Sequence, residues 1–375
     1  MHKRFWLLST AIVVALVSVV LGLARAGRVR PGNAVPEATS TVTPDQRSPT
    51  PPPTATPTAT CLPRPAATID ALPVFTSTVA FASVHPQTYI TDVCQYLRER
   101  WEPGHAAPGT VVVPVMFHTV FEGMPYRPGD THIPAEDLRR TVETARGLGF
   151  QTITALQLAD FLERNAPIPP RSMIWILDDR HPDLIEKYFL PIARENQWTV
   201  TLGWIVGDTG KRKGLWKQME DLNATGYLDV QSHGYAHLYV QPDTPEALIR
   251  QELVGPIAVT EEHFAHPPIA FVWPGGNFTL RSVQLAREAG YRIAFTIYAR
   301  GPLMYNWIPQ GKQERTVGDP LLVLPRFWAR PDLPEVLQQA ADLGNAAAAR
   351  AQEERGTEAG YYRQACGCEL PSAAP

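Results

Sequence analysis

Residues 109–330 alternate short apolar runs with helical segments, and this alternation constrains the fold of the 375-residue chain more than any other feature. Runs such as 111–117 and 173–177 are typical of strands buried on both faces. The segments between such runs, for example 246–264, have the length and capping signals of helices. Strands separated by helices predict a parallel sheet, and about seven such units favour a barrel over an open sheet. We therefore expect an α/β fold whose chemistry lies at the carboxyl ends of the strands.

The N-terminus predicts export of the rest of the chain. An uncharged run of 19 residues, 5–23, is long enough to span a bilayer. The sequence Ala-Arg-Ala at 24–26 offers the small-x-small pattern of a signal-peptide cleavage site. Residues 1–26 are therefore expected to be either a transmembrane anchor or a cleaved signal peptide. Both alternatives predict an extracellular protein, membrane-anchored in one case and secreted in the other.

Residues 27–60 are expected to form a disordered linker, because residues 31–60 hold eight prolines and eight threonines and have little to bury. Residues 61–108 follow as an N-terminal extension with a helix predicted at 92–101. Residues 331–375 should form a C-terminal helix, predicted at 333–354, and a tail with two cysteines.

Charge and cysteine content limit the partners and the disulfides. Thirty-four Lys and Arg residues against 37 Asp and Glu residues give a net charge of −3, which gives no reason to expect nucleic acid as a partner. Export permits disulfides between Cys61, Cys94, Cys366 and Cys368, with three pairings open. Cys366 and Cys368 are too close to bond to each other without strain, so each is expected to reach Cys61 or Cys94.

Polar residues at two strand ends suggest a metal site. Asp178 and Asp179 end the apolar run at 173–177, where two adjacent carboxylates are costly unless a cation or a proton compensates them. A helix N-cap would need only one of them. His233 and His237 follow another predicted strand, and histidines four residues apart share a face if the segment is helical. Two imidazoles and one carboxylate leave a coordination position open, as catalytic zinc sites do.

Three further strand ends carry polar or glycine residues. His118 ends the run at 111–117 and would point toward the same edge, although a lone histidine there is often structural. The sequence Trp-Pro-Gly-Gly at 273–276 would let backbone N–H groups approach a ligand, or is a plain turn. Arg326 places a cation near the last strand, or lies in a surface turn.

The order of these motifs resembles the polysaccharide deacetylases, the NodB-homology carbohydrate esterases. The family's T-F-D-D-G, H-[ST]-x-x-H and F-x-Y-P-Y-G motifs are matched at 176–180, 233–237 and 271–276. Its A-G-Y-x-x-A-F-T is matched at 289–296, and the L-P-R and V-L-M-Y-H of one branch are matched at 324–326 and 115–118. The resemblance covers residues 110 to 330 and implies a distorted (β/α)7 barrel.

The resemblance also implies roles. Asp179, His233 and His237 would bind zinc or another divalent metal, and Asp178 would be the base that activates water. The Gly275 N–H would stabilise the oxyanion, and His118 would protonate the departing amine. Arg326 would orient Asp178, and Trp273 would stack on a sugar. The other residues expected to contact the substrate are Pro274, Gly276, Arg180 and Arg326.

The implied activity is metal-dependent removal of N-acetyl groups from an N-acetylglucosamine polysaccharide of a cell wall or exopolysaccharide, with release of acetate. Three departures bear on this: Arg180 replaces a glycine, Gly234 replaces Ser or Thr, and Gly275 replaces an aromatic residue. Arg180 would be strained if that position needs a positive φ. Two alternatives stay open: a tethered polysaccharide-binding module with little turnover, and a metal hydrolase of another amide or ester.

Overall fold

The computed structural model describes residues 80–371, except residues 83 and 85. The N-terminal apolar run, the Pro/Thr-rich linker and Cys61 lie outside the described residues, so the predictions made for them stay predictions. No described helix combines the length and the apolar character that a membrane crossing requires.

The described chain alternates strands and helices in the order that the sequence predicts. The strands are β1 (Pro86–Gln87), β2 (Val111–Phe117), β3 (Thr119–Phe121), β4 (His132–Pro134), β5 (Gln151–Thr152), β6 (Arg171–Asp178), β7 (Val200–Trp204), β8 (Leu228–Ser232), β9 (Ala270–Val272), β10 (Ile293–Phe295), β11 (Ile308–Pro309) and β12 (Phe327–Trp328). The helices are α1 (Val93–Trp101), α2 (Ala135–Gly147), α3 (Ala155–Arg164), α4 (Pro182–Leu184), α5 (Leu190–Asn196), α6 (Leu215–Asn223), α7 (Glu246–Phe264), α8 (Leu280–Glu288), α9 (Lys312–Arg315) and α10 (Leu333–Cys366). A π-helical turn, Ile185–Phe189, joins α4 to α5.

Seven strands form one parallel path in the order β10-β9-β8-β7-β6-β2-β12, and β5 also pairs with β6. Residues 324–328 contact strands at opposite ends of this path. Leu324 forms a bridge to Phe295 of β10, and Phe327 pairs with Val115 of β2. The predicted α/β fold with a parallel sheet is therefore confirmed. Full closure into a barrel is not reached, because a single bridge joins β10 to the last segment within the described residues.

The two faces of the central strand β6 bury different clusters, because successive strand side chains point to opposite sides. Trp175 is fully buried and packs its ring on Phe117 of β2, on the side that the helices cover. Burial of a side chain of this size stabilises the fold by about 1.5–3 kcal/mol. Ile174 and Ile176 point to the opposite side, into the curled sheet. Asp178 is the next residue in this alternation, so its carboxylate points to the same side as Ile174 and Ile176.

Helix α10 is longer than the sequence predicts, and the predicted end at residue 354 is wrong. The helix continues to Cys366 because Glu358 and Tyr362 are buried, Glu358 accepting a hydrogen bond from the Trp101 indole of α1. A disulfide between Cys94 and Cys366 joins α1 to the end of α10, and Cys368 is disulfide-bonded as well. The expectation that Cys366 reaches Cys61 or Cys94 is confirmed.

Candidate metal centre and active site

The site lies at the carboxyl edge of the parallel sheet, as the strand-end residues predict. Phe117 of β2 pairs with Leu177 of β6, and Asp178 pairs with Gly203 of β7. Strand β8 ends in register with β7. The strands therefore end side by side, and the polar residues that follow them share one edge: His118, Asp179 and His233.

Asp179, His233 and His237 face one another with their ligand atoms. Oδ1 of Asp179 lies 3.7 Å from Nε2 of His233 and 3.6 Å from Nε2 of His237. The two Nε2 atoms are 3.1 Å apart. Two ligands of a tetrahedral zinc ion, each bonded at about 2.1 Å, lie roughly 3.4 Å from each other. The three side chains thus fit a single divalent ion.

The protonation states suit metal binding. Nδ1 of His233 donates to the Val272 carbonyl over 2.8 Å, which leaves its Nε2 free of a proton and directed at the other two ligands. Burial lowers the pKa of His233 to about 4, so the imidazole is neutral at pH 7. Burial would raise the pKa of Asp179, but the imidazoles of His181 and His233 outweigh it and hold this pKa below its usual value.

The two histidines meet through a loop and not along a helix face, so the helical argument for their pairing is wrong. Residues 233–237 are not helical, and Gly234 and His237 have φ values of 88° and 62°. The loop is held from outside: the Ala236 N–H donates to Glu252 of α7, and the Gly207 N–H donates to the Tyr235 carbonyl. Left-handed backbone at these positions curls the loop so that both rings return to one centre.

Asp178 is paired with Arg326 inside the sheet. Nη1 and Nη2 of Arg326 lie 2.7 Å from Oδ1 and 3.0 Å from Oδ2 of Asp178, and Nε donates to the Thr296 carbonyl. Burial would raise the pKa of Asp178, but the Arg326 charge outweighs it, and this pKa lies below its usual value. Asp178 is therefore a carboxylate at neutral pH, and the surface-turn interpretation of Arg326 is wrong because its side chain is fully buried.

His118 lies beside the same carboxylate. Its Nε2 is 3.6 Å from Oδ2 of Asp178, and its ring stacks on Trp328 with centroids 5.1 Å apart and planes 15° from parallel. Burial lowers the pKa of His118, with the Asp178 charge opposing the shift. The imidazole is therefore neutral in the free protein at pH 7.

The third motif forms a turn after β9 with one exposed position. Gly275 is exposed and has a φ of 61°, whereas Pro274 and Gly276 are buried and the Gly276 N–H donates to the Trp273 carbonyl. The Gly275 backbone is therefore the part of this turn that a substrate can reach.

Trp273 does not fit its expected role of stacking on a sugar. Its side chain is fully buried against Phe271, and its Nε1 donates to the Leu322 carbonyl. Trp273 belongs to the core, because the chain directly after β9 turns the indole away from the site and toward α7 and α8.

Two departures from the motifs have structural explanations. The positive φ of the first motif, 68°, belongs to Asp179 and not to Arg180, so the arginine is not strained. Asp tolerates this region better than most residues. At Gly234, a side chain would place its Cβ 2.2 Å from Oε2 of Glu252, so the glycine makes room for this buried carboxylate.

Three residues near the site were not identified from the sequence: Glu252, Tyr239 and Trp328. Glu252 lies within a regular helix pattern, and Tyr239 and Trp328 lie in short segments whose contacts depend on the tertiary fold. The signal available for Glu252 is the glycine at 234, where a hydroxyl residue is usual.

Comparison with known proteins supports the family resemblance. The family model described as polysaccharide deacetylase matches residues 167–294, which include both aspartates, both histidines and the third motif but neither His118 nor Arg326. No curated protein matches the chain.

One solved structure shows a similar fold over most of its length. The deacetylase PplD from Streptococcus pyogenes, solved in complex with acetate, has a TM-score of 0.51 and 18% identity, over 63% of this chain and 99% of its own. IcaB from Ammonifex degensii has a TM-score of 0.49 and 19% identity, over 64% of this chain and 99% of its own. At this identity the PplD likeness shows the fold alone. The family match over residues 167–294 agrees with the resemblance to the polysaccharide deacetylases that the motifs carry.

Proposed function

We propose that this protein is a metal-dependent polysaccharide N-deacetylase that removes N-acetyl groups from an extracellular N-acetylglucosamine-containing polysaccharide and releases acetate. The observation that carries the proposal is the convergence of Asp179, His233 and His237 beside the Arg326-paired carboxylate of Asp178. This arrangement separates the groups that would hold a metal from the group that would accept a proton.

Each residue has a chemical task in this proposal. A divalent ion held by the three ligands would lower the pKa of a coordinated water and polarise the acetyl carbonyl. Asp178 would accept the proton of the attacking water, since its pairing with Arg326 keeps it ionised. The exposed backbone of Gly275 would donate its N–H to the oxyanion.

The proton would then reach the departing amine through His118. Nε2 of His118 lies 3.6 Å from the Asp178 oxygen that would receive the proton. The imidazole is neutral before reaction because burial lowers its pKa, so it can take up that proton and donate it to the leaving nitrogen.

The proposed site of action is outside the cytoplasm. The apolar run at 5–23 and the linker at 27–60 would either tether the domain to a membrane or be processed for secretion. In either case the domain would act on a glycan outside the cytoplasm, and the disulfide between Cys94 and Cys366 suits such an oxidising environment.

The rival function is a binding module with little turnover, and Arg180 is the residue that favours it. Its Nη1 is buried and has no hydrogen-bond partner among the described residues. The rival is less well supported, because Arg180 leaves the ligand distances at Asp179 within the range that a single ion requires.

Acetate release tests the proposal. Full-length zinc-loaded protein is incubated with a chitin oligomer, with poly-N-acetylglucosamine and with O-acetylated esters, and acetate is quantified. We expect release from an N-acetylated glycan, loss of release on chelation, and recovery on adding zinc. His233→Ala should abolish release, whereas His266→Ala, outside the ligand set, should not. A folded, zinc-loaded protein that releases no acetate from any N-acetylated glycan would support the binding module, and release from esters alone would support the other hydrolase.

A further inference from the structure

We infer that Tyr239 is the aromatic surface on which a sugar ring of the substrate stacks, in place of Trp273 and of the aromatic residue that the third motif lacks at Gly275. The inference rests on the proposed function and adds to it the residue that would recognise the sugar. It follows from the contacts of Tyr239 with two parts of the site.

Tyr239 lies directly beside a candidate metal ligand. It follows His237 by two residues, and the centroids of the two rings are 5.2 Å apart with planes at 63°. The side chain is 52% exposed. An aromatic ring next to a metal ligand therefore presents part of its surface to any molecule that reaches the centre.

The ring also lies beside the exposed glycine of the third motif. A Cβ placed on Gly275 would lie 3.1 Å from Cε1 and 3.2 Å from Cδ1 of Tyr239. The space that a side chain at 275 would enter is thus bordered by the Tyr239 ring. In this chain the loop that carries His237 supplies an aromatic ring beside that space, while Gly275 itself stays exposed.

Among the described residues, Tyr239 is the aromatic member of the exposed large hydrophobic side chains. The other large hydrophobic side chains that the described residues expose are aliphatic: Met124, Leu156, Leu248, Val254 and Leu280. Single exposed hydrophobic residues need no explanation, but this one joins the histidine loop to the oxyanion turn. Ligand sites typically combine such an apolar aromatic surface with a few directed polar groups.

The chemistry of the surface favours a sugar ring. The C–H face of a pyranose is apolar and flat enough to lie on an aromatic ring, while its hydroxyl groups remain in water. With Tyr239 between His237 and Gly275, a stacked ring would hold the N-acetyl group of the same or the neighbouring unit toward the metal ligands. The predicted ligand is therefore an N-acetylhexosamine unit of the glycan.

The test compares Tyr239→Ala and Tyr239→Phe with the full-length wild-type protein. Affinity for a chitin oligomer is measured by calorimetry on the zinc-free form, which binds without consuming the sugar, and kcat, KM and zinc content are measured on the zinc-loaded form. Leu156→Ala, which removes a 50% exposed side chain from α3, is the matched control.

We expect Tyr239→Ala to weaken oligomer binding and raise KM by about twofold to tenfold, the range of one aromatic contact. Zinc content and kcat should change by less than about twofold, since the ring does not bind metal or donate a proton. Tyr239→Phe should bind as the wild type does, because stacking needs the ring and not the hydroxyl group. Leu156→Ala should change none of these quantities.

The outcomes separate this inference from the proposed function. If the wild type releases acetate but Tyr239→Ala binds the oligomer as tightly, the stacking role is overturned and the proposed function stands. If Tyr239→Ala loses zinc in proportion to its activity, Tyr239 is a support for His237 and the inference is also overturned. A wild type that neither binds nor deacetylates any N-acetylated glycan would overturn both.

Discussion

The guanidinium of Arg326 holds both carboxylate oxygens of Asp178 from the segment that joins the two edges of the sheet. Neither side chain is more than 2% exposed. The proposed catalytic base is therefore also one partner of a buried ion pair inside the curled sheet, and its charge is fixed by a residue 148 positions away in the chain. Substitution of Asp178 should consequently affect stability as well as turnover.

Asp178→Asn should abolish acetate release and lower the free energy of unfolding by about 3–5 kcal/mol, because it leaves the buried Arg326 without a counter-charge. Denaturant unfolding and acetate release, assayed under conditions in which the variant is folded, check both effects. Asp183→Asn changes an exposed aspartate in α4 and should leave both quantities unchanged. Undiminished turnover in Asp178→Asn would remove Asp178 from its role as the base.

His118→Ala should lower kcat by about 10²- to 10⁴-fold, the usual contribution of a general acid, without releasing zinc. His118 faces Asp178 and Trp328 and does not share the ligand centre, so metal content should stay at one ion per chain. Steady-state kinetics and metal analysis check this. An unchanged kcat would mean that another group protonates the amine, and a loss of zinc would move His118 into the ligand set.

Gly234→Ser restores the hydroxyl residue of the family motif but should destabilise this protein by about 1–3 kcal/mol. The new Cβ would lie 2.2 Å from Glu252, and the position has a φ of 88°. Thermal unfolding and zinc content are the measurements. In the Glu252→Ala background the clash is absent, so the same substitution should cost less there. An equal loss of unfolding free energy in both backgrounds would show that Glu252 is not the reason for a glycine at position 234.

Glu358 of α10 should make stability depend on pH. Burial raises its pKa, with Arg100 and the Trp101 indole opposing the shift. A carboxyl whose pKa is higher in the folded state binds more protons there, so its contribution is present below the unfolded pKa and is lost as pH rises through the folded pKa. The difference in unfolding free energy between the wild type and Glu358→Gln should therefore shift in favour of the glutamine variant as pH rises above about 4.5.

The control for this pH dependence is Glu353→Gln, an exposed glutamate on the same helix. It should show no such shift relative to the wild type. A Glu358→Gln variant that follows the pH profile of the wild type would contradict the raised pKa of Glu358.

Much of the fold follows from the sequence, because the strands are buried on both faces and read as uninterrupted apolar runs. The predicted bounds of α7, 246–264, coincide with those of the structure. The end of α10 could not be predicted, since Glu358 and Tyr362 look like surface residues until α1 covers them. The register that brings strand ends together was predictable from the parallel sheet alone.

The metal ligands could be predicted, because they are residues of a metal-binding type that directly follow predicted strands. Roles that depend on the direction of a side chain could not be predicted. Asp179, His233 and His237 converge as the motifs indicate, although through left-handed backbone and not a helix. Trp273 illustrates the opposite case, because nothing in its motif shows that the indole turns into the core. Tyr239 could not be identified because its neighbours, His237 and Gly275, belong to different motifs.

Anomalous diffraction at the zinc absorption edge, from crystals of the zinc-loaded protein, tests the central claim most directly. We expect one ion per chain, bonded at about 2.0–2.2 Å to Oδ1 of Asp179 and to Nε2 of His233 and His237. Absence of an ion from zinc-loaded crystals, or an ion bound without these three atoms, would contradict it.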